Sequence, residues 1–92
     1  MRFSFDSRTS KRLRSNPKRD IGFEEVRALF ERPYWLDRRS DVPEQLLAVG
    51  WVGERLYSVI FEIRPDDPGE VRNLVTLWKS TQEEVRLYEE NS

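Results

Sequence analysis

The sequence predicts an α+β domain of two layers, an antiparallel sheet of four or five strands packed against helices. Three observations lead there: an amphipathic helical stretch opening at Phe23, three apolar strand-length runs joined by tight-turn residues after Glu44, and a helix-capping box at Thr81. The 92 residues are expected to form one domain over 1–92. Such a chain buries about 60–65% of its unfolded surface, enough for one modest core. Hydrophobic residues make up 37% and aromatic residues 12%, too apolar for a disordered chain even though 36% are charged.

Phe3-Ser4-Phe5 alternates with polar neighbours and predicts a short strand at a sheet edge. Ser7 to Ser15 favours a helix, but Leu13 is its one apolar residue, and Pro17 ends it. The next helix is expected from Phe23 to Glu31, with Phe23, Val26, Leu29 and Phe30 on one stripe and Arg32-Pro33 closing it. Tyr34-Trp35-Leu36 begins a second strand before the polar stretch Asp37–Pro43. Leu46 to Val52 is apolar on both parities, as central strands are.

Gly53-Glu54 between two apolar runs predicts a type II′ hairpin, returning as a strand from Arg55 to Arg64. There Tyr57, Val59, Phe61 and Ile63 share the core face, and the other face is expected to be half wet. Asp67-Pro68-Gly69 suits a type II turn, so Glu70 to Trp78 should run back antiparallel. Thr81-Gln82-Glu83-Glu84 then caps a last helix carrying Val85 and Tyr88 on one side.

Composition narrows the chemistry. With no Cys and no His there is no disulfide, no thiolate or imidazole metal site and no imidazole-based nucleophile, and no glycine fingerprint for nucleotides is present. Absent cysteine suits a reducing compartment. The N-terminal Met-Arg-Phe-Ser-Phe-Asp runs into polar and basic residues, so a signal segment is not expected and a cytoplasmic setting is. Net charge is −1, yet residues 1–19 hold seven bases (Arg2, Arg8, Lys11, Arg12, Arg14, Lys18, Arg19) against Asp6 alone. A polyanion should meet that end first.

What remains for an enzyme is Arg and Lys as phosphate ligands, a set that suits RNA cleavage by the neighbouring 2′-hydroxyl. Arg64 closes its strand beside Pro65, either as a bidentate phosphate clamp or as a surface arginine. Lys79 follows the last strand, as a phosphate ligand or a solvated lysine. Arg55 follows the tight turn, as a catalytic cation or a charge guarding the hairpin edge. The run Arg8 to Arg19 is either a backbone-tracking surface or a solvated helix face. Among Trp35, Trp51 and Trp78, core packing competes with base stacking. Trp78, sharing parity with Thr76 and Leu74 and preceding Lys79, is the stacking candidate.

Five stretches, in order, resemble the BrnT-type toxins of bacterial type II toxin–antitoxin pairs: Phe5-Asp6, Phe23-Glu24-Glu25-Val26, Glu44 through Gly50, Gly53-Glu54-Arg55-Leu56, and Lys79-Ser80-Thr81 through Glu84 and Tyr88. The likeness spans nearly the whole chain. It implies a RelE-like fold and an endoribonuclease that needs no metal or cofactor and arrests translation. The implied partner is a BrnA-type antitoxin with a ribbon-helix-helix part. Operator DNA would be met only through that antitoxin, and no membrane is involved.

Carried over by position, the resemblance makes Arg64, Lys79 and Arg55 the expected catalytic set, and Lys18, Arg19, Thr76 and Trp78 the expected RNA contacts. Arg19 stands where the family has His, Thr76 where it has Ser, and Gln45, Asn73 and Trp78 where it has Arg. Two functions follow from this pattern: a ribonuclease toxin, or a catalytically weakened toxin-fold module that binds an antitoxin and tunes its DNA binding. For the first, Arg64, Arg55 and Lys79 should converge on a concavity floored by Thr76 and Trp78.

Overall fold

The apolar runs flanking Gly53-Glu54 pair as the turn residues require. In the computed structural model, which describes residues 2–66 and 69–91, Val52 pairs with Arg55 and Gly53 has φ of 61°, while Glu54 keeps a negative φ. This is the type II′ combination, and the hairpin joins strands β3 (Glu44–Val52) and β4 (Arg55–Asp66). Strand β5 (Gly69–Lys79) lies antiparallel to β4. Of their connecting turn, Asp67 and Pro68 lie outside the described residues. Strand β2 (Tyr34–Asp41) is antiparallel to β3, and β1 (Arg2–Ser4) completes one sheet in the order β1-β5-β4-β3-β2.

The sheet is mixed, where a purely antiparallel one was expected, because β1 pairs parallel with Val71–Asn73 of β5. The chain leaves β1 and crosses one face as α1 (Ser7–Ser15) and α2 (Phe23–Val26). It enters the far edge at β2, and the antiparallel meander then returns it to β1's side. β2 also runs well beyond Leu36. Its backbone pairs with β3 whatever its side chains are, and an exposed edge tolerates Asp37, Arg38 and Arg39.

Helices cover both faces, so the arrangement has three layers where two were expected. On one face Phe23, Val26 and Leu29 pack on Ala48, Val59 and Phe61; on the other, Val85 and Tyr88 of α3 (Gln82–Glu90) pack with Leu47, Val49, Leu56 and Ile60. The second cover is needed because β3 and β4 are apolar on both parities. The stretch from Phe23 is also no single α-helix. After one α-turn it tightens into a 3-10 helix, Arg27–Glu31, which brings Val26 and Leu29, three residues apart, into line over the sheet. Among the described residues no helix is long and apolar enough to cross a membrane.

Phe23 is completely buried, with Phe5 beside it at 5.4 Å between ring centres, whereas Leu36 on edge strand β2 is 49% exposed. Phe23→Ala should therefore lower the unfolding free energy by about 3–5 kcal/mol in a urea titration, and Leu36→Ala by about 0.5 kcal/mol or less. Equal losses would mean that the core does not lie under α2.

Candidate nucleic-acid interface

The loop after α1 is shaped by its own side chains. Asn16 Oδ1 accepts the Lys18 N–H at 2.9 Å, its carbonyl accepts the N–H groups of Arg19 and Asp20 at 2.8 Å each, and Asp20 takes φ of 71°, which asparagine and aspartate tolerate best after glycine. A polar clasp draws the two ends of this loop together. Ser10, buried on α1, accepts the Phe23 N–H at 2.8 Å and donates to Glu24, while Arg14 bridges Glu24 and Glu25 at 2.6 and 2.9 Å. Both carboxylates are held below their usual range, Glu24 first by the Ser10 hydroxyl and Glu25 first by Arg14.

The clasped loop lands on the hairpin end of the sheet. The Arg19 Nε–H donates to the Leu77 carbonyl at 3.1 Å, and the hydroxyl of Tyr57, pinned in the core, donates to the Arg19 carbonyl at 3.1 Å. Lys79 pairs with Tyr57 across the sheet and reaches the Pro17 carbonyl at 3.2 Å and Asp20 at 2.9 Å. Arg55 lies two residues before Tyr57 and so on the same face. Arg19 and Lys79 are thus held at one corner, with Lys18 next to Arg19 in the loop and Arg55 at the adjoining start of β4, four expected site residues from three chain segments. Asp20 opposes them, and Glu54 stands at the hairpin tip.

The other three are elsewhere. Arg64 pairs with Val71 at the far end of β4, seven residues from Tyr57, roughly 23 Å along the strand. It ion-pairs with Glu62 at 2.7 Å and alternates onto the opposite face, so the expected convergence of Arg64 with Arg55 and Lys79 does not occur. A cavity of about 300 Å³ does lie at that end, but it is lined by Arg2, Ile63, Glu70 and Arg72 on the helix-α2 face. Thr76 pairs with Ile60 and Trp78 with Ser58, which puts both on the α3 side. A bulge opposite Ile60/Phe61 breaks the shared parity: Leu74 turns to the α2 side, where it is buried.

Trp78 is not a free stacking surface. Its indole Nε1–H donates to Glu84 Oε1 at 2.9 Å, the same oxygen that accepts Ser58 Oγ at 2.8 Å and the Thr81 N–H at 2.9 Å. Ser58 also shares a hydrogen bond with Ser80 at 2.8 Å. Sequence reasoning read Glu84 as a helix cap and missed this buried hub. It also missed Tyr57 and Asp20 as supports of the corner, since both act through contacts with distant chain segments. Among the described residues no cluster of three or more His, Cys, Asp or Glu could hold a metal ion. No family model matches the sequence, and no curated protein matches it.

Burial pushes the Glu84 carboxyl up, but the Thr81 N–H and the Trp78, Ser58 and Thr81 side chains outweigh it, so the group sits below the ordinary glutamate value. A depressed carboxylate stabilises the fold above its unfolded pKa and stops doing so as pH falls through its folded one. Glu84→Gln should lower stability at pH 7 by about 1–3 kcal/mol. The gap to the parent should narrow below about pH 4.3, measured by denaturant titration across pH. A gap independent of pH would show that the charge is not what Trp78 and Ser58 bind.

Proposed function

We propose that this chain is a BrnT-type ribonuclease toxin with a RelE-like fold, acting in the cytoplasm and gripping RNA at the Lys18, Arg19, Arg55 and Lys79 corner. One observation supports it: the loop carrying Lys18 and Arg19 is held against Lys79 at the hairpin end of the sheet, where β4 begins at Arg55. Cleavage there would form a bond from the RNA 2′-oxygen to phosphorus and break the bond to the 5′-oxygen. The 2′-hydroxyl proton passes to solvent, and solvent protonates the leaving oxygen. Charge builds on the non-bridging oxygens, which Lys79 and Arg19 would stabilise. The matching partner is a BrnA-type antitoxin whose ribbon-helix-helix part contacts operator DNA.

A second function, the weakened interaction module, is favoured by how the corner's groups are already engaged. Lys79 is ion-paired with Asp20, and the Tyr57 hydroxyl is committed to the Arg19 carbonyl. Its chemistry would be binding an antitoxin rather than cutting RNA.

Purified protein incubated with RNA separates the two. For the toxin, Lys79→Ala should lower the cleavage rate by about 10²–10³-fold, as loss of one transition-state ligand does, while Arg64→Ala leaves it unchanged. Absent cleavage and absent growth arrest, with a stable antitoxin complex, would establish the interaction module. Equal damage from Arg64→Ala and Lys79→Ala would remove the corner from consideration.

A further inference from the structure

Helix α1 carries an unusual face. Ser10 and Leu13 point into the fold and Arg14 is consumed by Glu24 and Glu25. A helical turn of about 3.6 residues then places Arg8, Lys11, Arg12 and Ser15 together on the outer side, where all four are exposed. Arg12 donates to Thr9 Oγ1 at 3.3 Å, but none of the three bases has an acid within 4.0 Å among the described residues. Asp6 caps the helix, accepting the Arg8 and Thr9 N–H groups at 2.8 and 3.0 Å, and attracts Arg8 and Arg12 without ion-pairing with either.

The like charges repel along this face. Arg8 and Lys11 are like charges three residues apart, and Arg8 and Arg12 four apart, a spacing that destabilises a helix. Arg8 also stands in the first turn, where the helix dipole favours an acid and none is present. Arg12, in the last turn, suits the dipole, but three exposed bases on one face without an ion-paired acid suit an anionic ligand. The stripe ends at the loop whose Pro17 carbonyl is bound by Lys79, so it leads along the surface to Lys18 and the corner.

We propose that Arg8, Lys11 and Arg12 form a track for the phosphate backbone of single-stranded RNA, delivering the strand to the corner beside Lys18. This rests on the ribonuclease reading for its ligand and extends it to a second surface. The contacts are to phosphates, so the track is indifferent to base sequence and sensitive to salt.

The test is fluorescence anisotropy with a short labelled RNA whose 2′-hydroxyls are methylated, so that it binds without being cut. The triple variant Arg8→Glu, Lys11→Glu, Arg12→Glu should bind about tenfold or more weakly, with a salt slope smaller by about 2, since each single-strand phosphate contact contributes about 0.7. Its melting should remain cooperative, which shows that it folds. If the triple variant does not fold, Arg8→Gln and Lys11→Gln alone should each weaken binding about threefold. Unchanged affinity in the folded variants overturns the track. Tighter binding of duplex DNA than of RNA through the same three residues also overturns it. A parent that binds this RNA through the stripe yet cuts no RNA leaves the track standing without the ribonuclease. Cleavage lost in Lys79→Ala, with parental binding by the triple variant, does the reverse.

Discussion

Strand β4 has no wet face between Leu56 and Phe61, and that constraint organises everything around it. Every residue of this run is buried, on both parities, in the middle of the sheet. A strand buried on both sides needs a cover on each. Helices α1 and α2 supply one and α3 the other. Ser58 is the polar member of the run, and a buried hydroxyl without a partner would be costly. Its bonds to Ser80 and Glu84 therefore tie the end of β5 and the start of α3 to the centre of the molecule.

The same strand decides where cations can be. Charged side chains are excluded from its buried span, so its arginines sit at its two ends, Arg55 beside the hairpin and Arg64 near the far turn. A strand is stiff along its length, and no side chain closes a gap of roughly 23 Å. Whatever gathers at one end is separated from the other. At the hairpin end the corner is completed by a loop that packs Ile21 on the core and is otherwise held by polar contacts, the clasp of Ser10, Arg14, Glu24 and Glu25 and the Tyr57 hydroxyl.

The elements legible in the sequence are those governed by neighbours in the chain. Gly53-Glu54 names its own turn, Thr81 to Glu84 its own cap, and the stripe from Phe23 its own buried face. Three things were hidden because they are settled across the chain. Three residues of β1 carry no sign of strand direction, so the parallel pairing came only from where the chain had to travel. The bulge in β5 leaves no mark in the alternation, and it moved Leu74 off the face of Thr76 and Trp78. The signal for the second helical layer was present in Leu56 and Ile60 sharing a parity with Ser58, but their partner Val85 lies far along the sequence. Of the seven site residues, the four beside the loop and hairpin came together. The three placed by strand parity or strand end did not.

Charge was the least legible property, because a net of −1 conceals how acids and bases are distributed. Much of the acid is spent locally: Glu24 and Glu25 on Arg14, Asp20 on Lys79, Glu62 on Arg64. The glutamates of α3 lie beyond the sheet from α1, with Glu83 and Glu90 engaged by Arg86. Screening reduces exposed charges to local influence, with a Debye length of about 10 Å at 0.1 M salt. An approaching polyanion therefore meets the near face rather than the sum over the chain. On the α1 side that face presents Arg8, Lys11, Arg12 and Lys18, with Asp6 already bound to its helix and Asp20 to Lys79. The sheet that β4 forces to be covered twice thus also separates two charge environments, and an acidic chain keeps a basic side.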